Sequence, residues 1–503
     1  MQIHLHAKDI STVKGQTLVV FSKLSAVTAK QTESLAKITH AETAKALSET
    51  ISDKIISGAA SEVISFREAR FLGFRNVICV GLGADNKLNG EVVRQAAAAL
   101  CKEIKAVKST EIYVHFDGVA TGKNDLAAYL QAFVEGLQLT AYSFNELKTA
   151  AKKEKEVIQI NILSKLGKDK AIVQAFHEGT ILGTCANFSK RLGDMPGNLM
   201  TPTILANETV KAAKGTGLKV TVWDKKRIEK ERMGGLLGVA RGSAEEPRFI
   251  IMEYTGAAKT KKPIAFVGKG LTFDTGGISI KPSAKMEDMK YDMCGGANVI
   301  GAMLAIAQLK LKVNVVAYVA STENMPGSKA TKPGDVHIAR NGKSFEVNNT
   351  DAEGRLILAD ALSYASEQKP EIIIDAATLT GAIIMALGNI HTGYFTRNAA
   401  LKTKIEKAAG TTGELVWNMP LVDAHVKDMK GTYADLSNTS SGQGAGSATA
   451  TAFLEQFVAE GIPWAHFDIA GTAWACGNRL NYCSAKGATG SMVRTFVELA
   501  KQY

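Results

Sequence analysis

The sequence predicts an α/β protein of two domains. One is a smaller N-terminal α/β domain. The other is a larger C-terminal α/β domain built on a central, mostly parallel or mixed sheet flanked by helices. Three observations lead there. The chain has 503 residues, and a single hydrophobic core stops growing at about 250–300 residues. Short β-branched runs alternate with helical patterns in both halves, which is the mark of α/β layering. Finally, two acidic clusters each follow an apolar strand, and open α/β sheets carry their sites outside the carboxyl ends of strands.

In chain order, the first half contains β-branched strand patterns over 17–21, 76–80, 111–115 and 157–163, with helical patterns over 41–56, 90–107 and 125–140. A lysine-rich stretch over 148–155 precedes a helical segment over 171–192, which stops near the breaker pair Pro196-Gly197. A long helix between two α/β patterns reads as a connector. The N-terminal domain is therefore placed at 1–170, the connecting helix at 171–193 and the C-terminal domain at 194–503. In the second half, strands are expected over 219–222, 249–253, 264–267, 313–319, 371–375 and 464–469, and helices over 295–308, 353–366 and 487–500. The stretch 372–390 comes nearest to a membrane span, but it contains Asp375, and a charge near mid-membrane is costly. It reads as a buried strand, Ile372-Ile373-Ile374, running into a loop and helix. No internal repeat or low-complexity tract is present, and the glycine-rich loop 442–446 is too short to be a linker.

Composition excludes disorder: 46% of residues are apolar and 22% charged. The net charge of +11 raises the question of nucleic acid, but the excess is spread along the chain. Residues 1–150 carry 17 Lys+Arg against 15 Asp+Glu, and acids interrupt the densest patch, Lys152-Lys153-Glu154-Lys155. A solvated surface explains this pattern better than a phosphate-binding face. The six cysteines form no C-x-x-C pair, and sparse, unpaired cysteine use fits a reducing compartment. Met1-Gln2-Ile3-His4-Leu5-His6 has no basic n-region followed by an apolar core. A cytoplasmic location with no membrane attachment is expected.

The chemistry resides in two clusters. In Asn349-Thr350-Asp351-Ala352-Glu353-Gly354-Arg355-Leu356, two acids and an arginine stand at i, i+2 and i+4 with small residues between. In an extended segment all three would point the same way. Two carboxylates so close repel each other unless a cation lies between them. Upstream, a strand expected to end at Val267 gives way to glycines, then Lys269, Asp274 and Lys281, with Asp292 just ahead of Cys294-Gly295-Gly296. Asp274, Asp292, Asp351 and Glu353 total −4, which two divalent cations would balance; a buried site needs near-neutrality. Lys269 is the odd member. Deprotonating a lysine at pH 7 costs about 4.6 kcal/mol from a pKa near 10.4, and a directly bound dication can supply that. Nitrogen ligation favours zinc or another transition ion over magnesium or calcium.

Each piece also has a plainer reading. Asp351 and Glu353 suit a solvated helix start. Lys281 before Pro282 suits the surface, and Arg355 could pair with either acid. Gly268-Lys269-Gly270 could bind phosphate, but Phe273 breaks G-x-G-x-x-G, and the P-loop spacing fails as well. The joint occurrence outweighs these readings. No H-E-x-x-H helix or G-x-S-x-G elbow is present. A water activated by metal is therefore favoured over a covalent Ser or Cys nucleophile.

The octapeptide 349–356 and the segment 267–296 resemble the two signature regions of the cytosolic leucyl aminopeptidase family, and the likeness covers roughly 190–503. Residues 1–170 resemble that family only in size and pattern. Where the family more often reads Asn-x-Pro-x-Asn, this chain has Asp194-Met195-Pro196-Gly197-Asn198, which touches no ligand position. The resemblance implies a hexameric, two-metal exopeptidase acting on peptides, with Mn²⁺ or Zn²⁺ as cofactor. Asp274 and Glu353 would bridge the metals. Lys269 and Asp292 would complete the tighter site, and Asp351 the more exchangeable one. A water or hydroxide between the metals would attack the scissile carbonyl. Lys281 would stabilise the oxyanion, and Arg355 would hold a bicarbonate that shuttles the proton. The free α-amino group of the substrate would coordinate one metal. Met289, Thr378, Gly381 and Ala470 would line the pocket for a leucine or methionine side chain.

Two rivals stand beside this reading. A two-metal phosphatase or nuclease also clusters acids, although Lys269 weighs against it. A basic oligomer could instead bind DNA by charge alone.

Overall fold

The computed structural model describes residues 1–24, 56–69, 73–120, 122–149 and 157–503. All but the last residue of the helix expected over 41–56, and most of the lysine-rich stretch 148–155, lie outside the described residues. The chain divides into two compact units. One comprises Met1–Thr184 with Leu480–Ser484, and the other Cys185–Arg479 with Ala485–Tyr503.

The first unit is an α/β layer. Its strands are β1 (Gln2–His6), β2 (Gly15–Ser22), β3 (Val63–Phe66), β4 (Phe74–Gly81), β5 (Glu111–His115) and β6 (Gln159–Leu163). They lie in the order β1-β6-β5-β2-β4-β3. All pairings are parallel except that of β3 with β4. Two helices, α1 (Gly90–Ala106) and α2 (Lys123–Ala141), follow β4 and β5 as crossovers. Asn89 starts α1 by accepting from Val92 N at 3.0 Å. Leu100, Phe116, Phe133 and Ile160 are fully buried in one core cluster with both helices. Sequence patterning misses β1 and β3, which are short and border polar residues.

A long helix, α3 (Lys170–Asp194), leads into the second unit. Its sheet runs β15-β14-β17-β13-β9-β10-β8-β7. These strands are β7 (Lys219–Trp223), β8 (Arg248–Thr255), β9 (Ile264–Asp274), β10 (Asn314–Asn324), β13 (Ile373–Ala377), β14 (Thr392–Phe395), β15 (Val416–Asn418) and β17 (Trp464–Asp468). The central strands β10, β9, β13 and β17 are mutually parallel, whereas β8 and β7 join antiparallel at one edge and β14 antiparallel to β17. The sheet is therefore mixed. A small sheet of β11 (Asp335–Ile338), β12 (Ser344–Val347) and β16 (Leu436–Ser437) stands apart from it.

β9 corrects one expectation. It does not stop at Val267 but runs to Asp274, pairing with β10 from Val315↔Ile264 to Asn324↔Asp274 with one shift of register between Thr322 and Glu323. Gly268 serves helix packing here rather than a turn. A Cβ at that position would lie 2.6 Å from Gly296 Cα, in the first turn of α4 (Cys294–Gln308). Along β9 every residue but Phe273 is buried, as expected of a central strand covered on both faces. Alternation then separates the faces. Ala265, Val267 and Leu271 join a cluster with Leu356, Leu358 and Leu362 of α5 (Gly354–Glu367). On the other face, Phe266 stacks on Phe496 at 5.4 Å.

The helix expected over 487–500 starts only at Val493. Thr489 N instead donates to Ala473 O, and Met492 N to Glu414 Oε1 at 2.8 Å. Among the described residues no helix is long and apolar enough to cross a membrane. The stretch 372–390 folds as β13, a loop and α6 (Gly381–Leu387). Leu358 is fully buried between α5 and the sheet. Leu358→Ala should lower unfolding free energy by roughly 2–5 kcal/mol, read by denaturant titration. A loss below about 1 kcal/mol would mean that this face is not packed.

Candidate metal centre

Five charged side chains converge at the carboxyl ends of the central strands. Lys269 lies within β9 and Asp274 ends it. Asp292 sits in a 3₁₀ segment, Met286–Met293, that feeds α4. Asp351 and Glu353 lie in the turn between β12 and α5. Lys269 Nζ is buried 2.7 Å from Asp292 Oδ2, 2.9 Å from Glu353 Oε1 and 3.0 Å from Thr378 O. One carboxylate oxygen from each of Asp274, Asp351 and Glu353 can be chosen so that all three lie within 4.8 Å of one another. Lys281 Nζ is 2.9 Å from Asp274 Oδ2 and also contacts Asp351 Oδ1.

The sequence segment 349–356 is not extended throughout, and this overturns the same-face reading of its three charges. The chain turns at Thr350-Asp351, and α5 begins at Gly354. Asp351 and Glu353 face Asp274, whereas Arg355 is already helical and its Nη1 donates to Asn438 O at 2.8 Å. Gly354 is required by close approach, because a Cβ there would lie 2.7 Å from Lys269 Nζ.

Electrostatics follow from burial. Desolvation pushes Glu353 up to about 8, reinforced by Asp274. It also raises Asp292 to about 6 against the opposing charge of Lys269, and it raises Asp351. Burial opposes the charge on Lys269, yet Asp292, Glu353 and Asp274 together raise its pKa. Lys281 is raised in the same way, chiefly by Asp274 and Glu353. Burial lowers Arg355 to about 10, against Glu353 and Asp468.

These residues suit divalent cations. Four carboxylates face two ammonium groups, Lys269 and Lys281, which leaves a local excess of two negative charges when all are ionised. Glu353 Oε2 is buried without a hydrogen-bond partner, and an orphaned buried acceptor is expensive. Four carboxylates, joined by the Lys269 amine once a cation has displaced its proton, make a donor set that zinc or manganese accepts.

Of the remaining residues singled out by sequence, Thr378 touches this nest. Thr378 is buried, and its hydroxyl donates to Asp292 Oδ1 at 2.7 Å, so it braces a carboxylate. Met289 is half-buried in the 3₁₀ segment. Gly381 opens α6 with no atom within 4 Å of where its Cβ would lie. Ala470 is buried, its N–H donating to Asp468 Oδ1 at 3.2 Å. Sequence reasoning missed Asp468, Asn324 and Asn438. Asn324 Nδ2 donates to Asp274 Oδ1 at 2.8 Å and to Thr350 O at 3.0 Å, tying the two clusters together. An amide closing a long apolar strand was the available signal for it. Asp468, the last residue of β17, accepts from Thr380 Oγ1 at 2.6 Å, and its charge favours the charged form of Arg355.

The chain resembles known proteins along its whole length. The model of the cytosol aminopeptidase family, catalytic domain, matches residues 187–497, and that of the N-terminal domain of the same family matches 17–151. A probable cytosol aminopeptidase of Bdellovibrio bacteriovorus is 67% identical over 504 residues, 100% of each chain. One from Burkholderia pseudomallei is 42% identical over 439 residues, 87% of this chain and 86% of its own. Among solved structures, a mutant of tomato leucine aminopeptidase matches with a TM-score of 0.88 at 31% identity, covering 100% of this chain and 97% of that one. The bottromycin maturation enzyme BotP, in complex with Mn, matches with a TM-score of 0.84 at 28% identity, covering 97% and 99%.

Proposed function

The chain belongs to the cytosol aminopeptidase family and is a hydrolase of the aminopeptidase class, and from that premise we propose that it removes N-terminal residues, leucine or methionine foremost, from peptides. The observation that supports this most is a buried lysine set 2.7 Å and 2.9 Å from two carboxylates at the carboxyl ends of the sheet. Family membership sets the phosphatase and nuclease reading aside. We assign 194–503 as the catalytic part, 171–193 as the connecting helix and 1–170 as the N-terminal domain. A cytoplasmic homohexamer is the expected form.

Two divalent cations, Mn²⁺ or Zn²⁺, supply Lewis acidity and an activated water when bound. Asp274, Glu353, Lys269, Asp292 and Asp351 would hold them. Lys281, whose ammonium group contacts Asp274 and Asp351, would turn it to the oxygen of the scissile carbonyl and stabilise the charge that develops there. Arg355, whose Nε is buried without a hydrogen-bond partner, would hold bicarbonate as proton acceptor in place of a side-chain base. Met289, Thr378, Gly381 and Ala470 would receive the first side chain, and their small or flexible surfaces suit leucine and methionine. Recognition of the free α-amino group at the metal centre confines cleavage to the first residue.

Excess chelator should abolish hydrolysis of leucine p-nitroanilide, and added Mn²⁺ or Zn²⁺ should restore it. Full activity in chelator would overturn the metal-dependent reading.

A further inference from the structure

Asn438 makes contacts that its position in the chain does not announce. It follows β16, and the parallel pairing of β16 with β12 (Phe345↔Leu436, Glu346↔Ser437) brings it alongside the exit of β12. Its side chain is fully buried. The Oδ1 accepts from Asn348 N at 2.8 Å and from Asn349 N at 3.3 Å. The Nδ2 donates to Asn349 O at 2.6 Å and to Ala352 O at 3.4 Å. Its backbone carbonyl accepts from Arg355 Nη1 at 2.8 Å. A carboxamide has two acceptor sites and two donors, and here all four meet one short segment.

That segment carries Asp351 and Glu353. Its own local restraint is slight: Ala352 N reaches Asn349 O at 3.2 Å, and Asp351 N reaches Asn349 Oδ1 at 2.8 Å. The turn must nevertheless hold two acids against Asp274 despite their mutual repulsion. We propose that Asn438 is a positioning residue. Its amide clamps both sides of the turn, and its carbonyl aims Arg355, so that the three charged side chains meet the metal centre in working geometry. This rests on the metallopeptidase reading above. Aspartate would match its shape but would set an acceptor against two carbonyls, and glutamine would overshoot by one methylene.

The test compares wild type, Asn438→Ala and Asn438→Asp as full chains. Metal is stripped and Mn²⁺ is titrated back, bound Mn²⁺ being counted by equilibrium dialysis and elemental analysis while leucine p-nitroanilide hydrolysis is followed. Both variants should need roughly 10–100-fold more Mn²⁺ for half-maximal activity, or lose kcat by that factor, with KM little changed. Asn438→Asp keeps the two bonds accepted by Oδ1, so it serves if the alanine variant does not fold. Folded variants with wild-type kcat and Mn²⁺ dependence, even if melting earlier, would overturn the proposal. Failure of the wild type itself to respond to metal would instead refute the underlying reading.

Discussion

Glu353→Gln is expected to stay folded while losing metal and at least about 10³-fold of its peptidase activity. The magnitude follows from the several kcal/mol that metal ions contribute to such reactions, at about 1.36 kcal/mol per decade. Glutamine matches the shape of glutamate but removes one of the four negative charges that hold the cations. The fold should tolerate it for a specific reason. In the metal-free chain, burial pushes Glu353 up to about 8, so near neutrality it is already largely protonated, and glutamine imitates that form. The sign of the pH effect follows. The folded state holds this proton more tightly than the unfolded state, whose pKa is near 4.5, so ionisation subtracts stability as pH rises through the window up to about 8. Chelated Glu353→Gln should therefore melt with chelated wild type near pH 4 and above it near pH 9. A variant that keeps its metal, measured by elemental analysis, and turns over normally would show that Glu353 is not needed to hold the cations.

The comparison of sequence with structure separates what is local from what is not. The strand expected over 111–115 and the helix expected over 90–107 follow from periodicity within one segment, and the structure places them at 111–115 and 90–106. The strand at 264 was harder, because its glycines mimic a turn when read alone. Their packing against α4 depends on residues 28 positions away, Gly268 against Gly296. The charged residues were legible because two acids sit side by side in one octapeptide. Their direction was not legible, because a two-residue period assumes a strand, whereas Arg355 lies in a helix. Asp468 and Asn438 carried no pattern at all, and Asn324 carried only its place at the end of an apolar strand. Each is one polar residue at the end of a distant strand, and only the topology brings it to the site.

Lys281 offers the sharper test of chemistry, because it separates holding the cations from assisting the reaction. Its ammonium lies 2.9 Å from Asp274 Oδ2 and contacts Asp351, so in this arrangement it neutralises carboxylates. If that were its whole task, Lys281→Met would expose those carboxylates to the cations and leave turnover nearly intact. If it stabilises the substrate oxyanion, the same variant should lose about 10²–10³-fold in kcat, the usual loss for one such donor. Its metal content should be unchanged or higher, since a competing cation has gone, and KM should move little, because the contact is made mainly in the transition state. Lys281→Arg keeps the charge but not the point geometry of an ammonium, so it should recover only part of the loss. Elemental analysis beside steady-state kinetics reads all of this. Loss of metal in parallel with activity would assign Lys281 to the cation shell, whereas loss of kcat at full metal occupancy is the expected result.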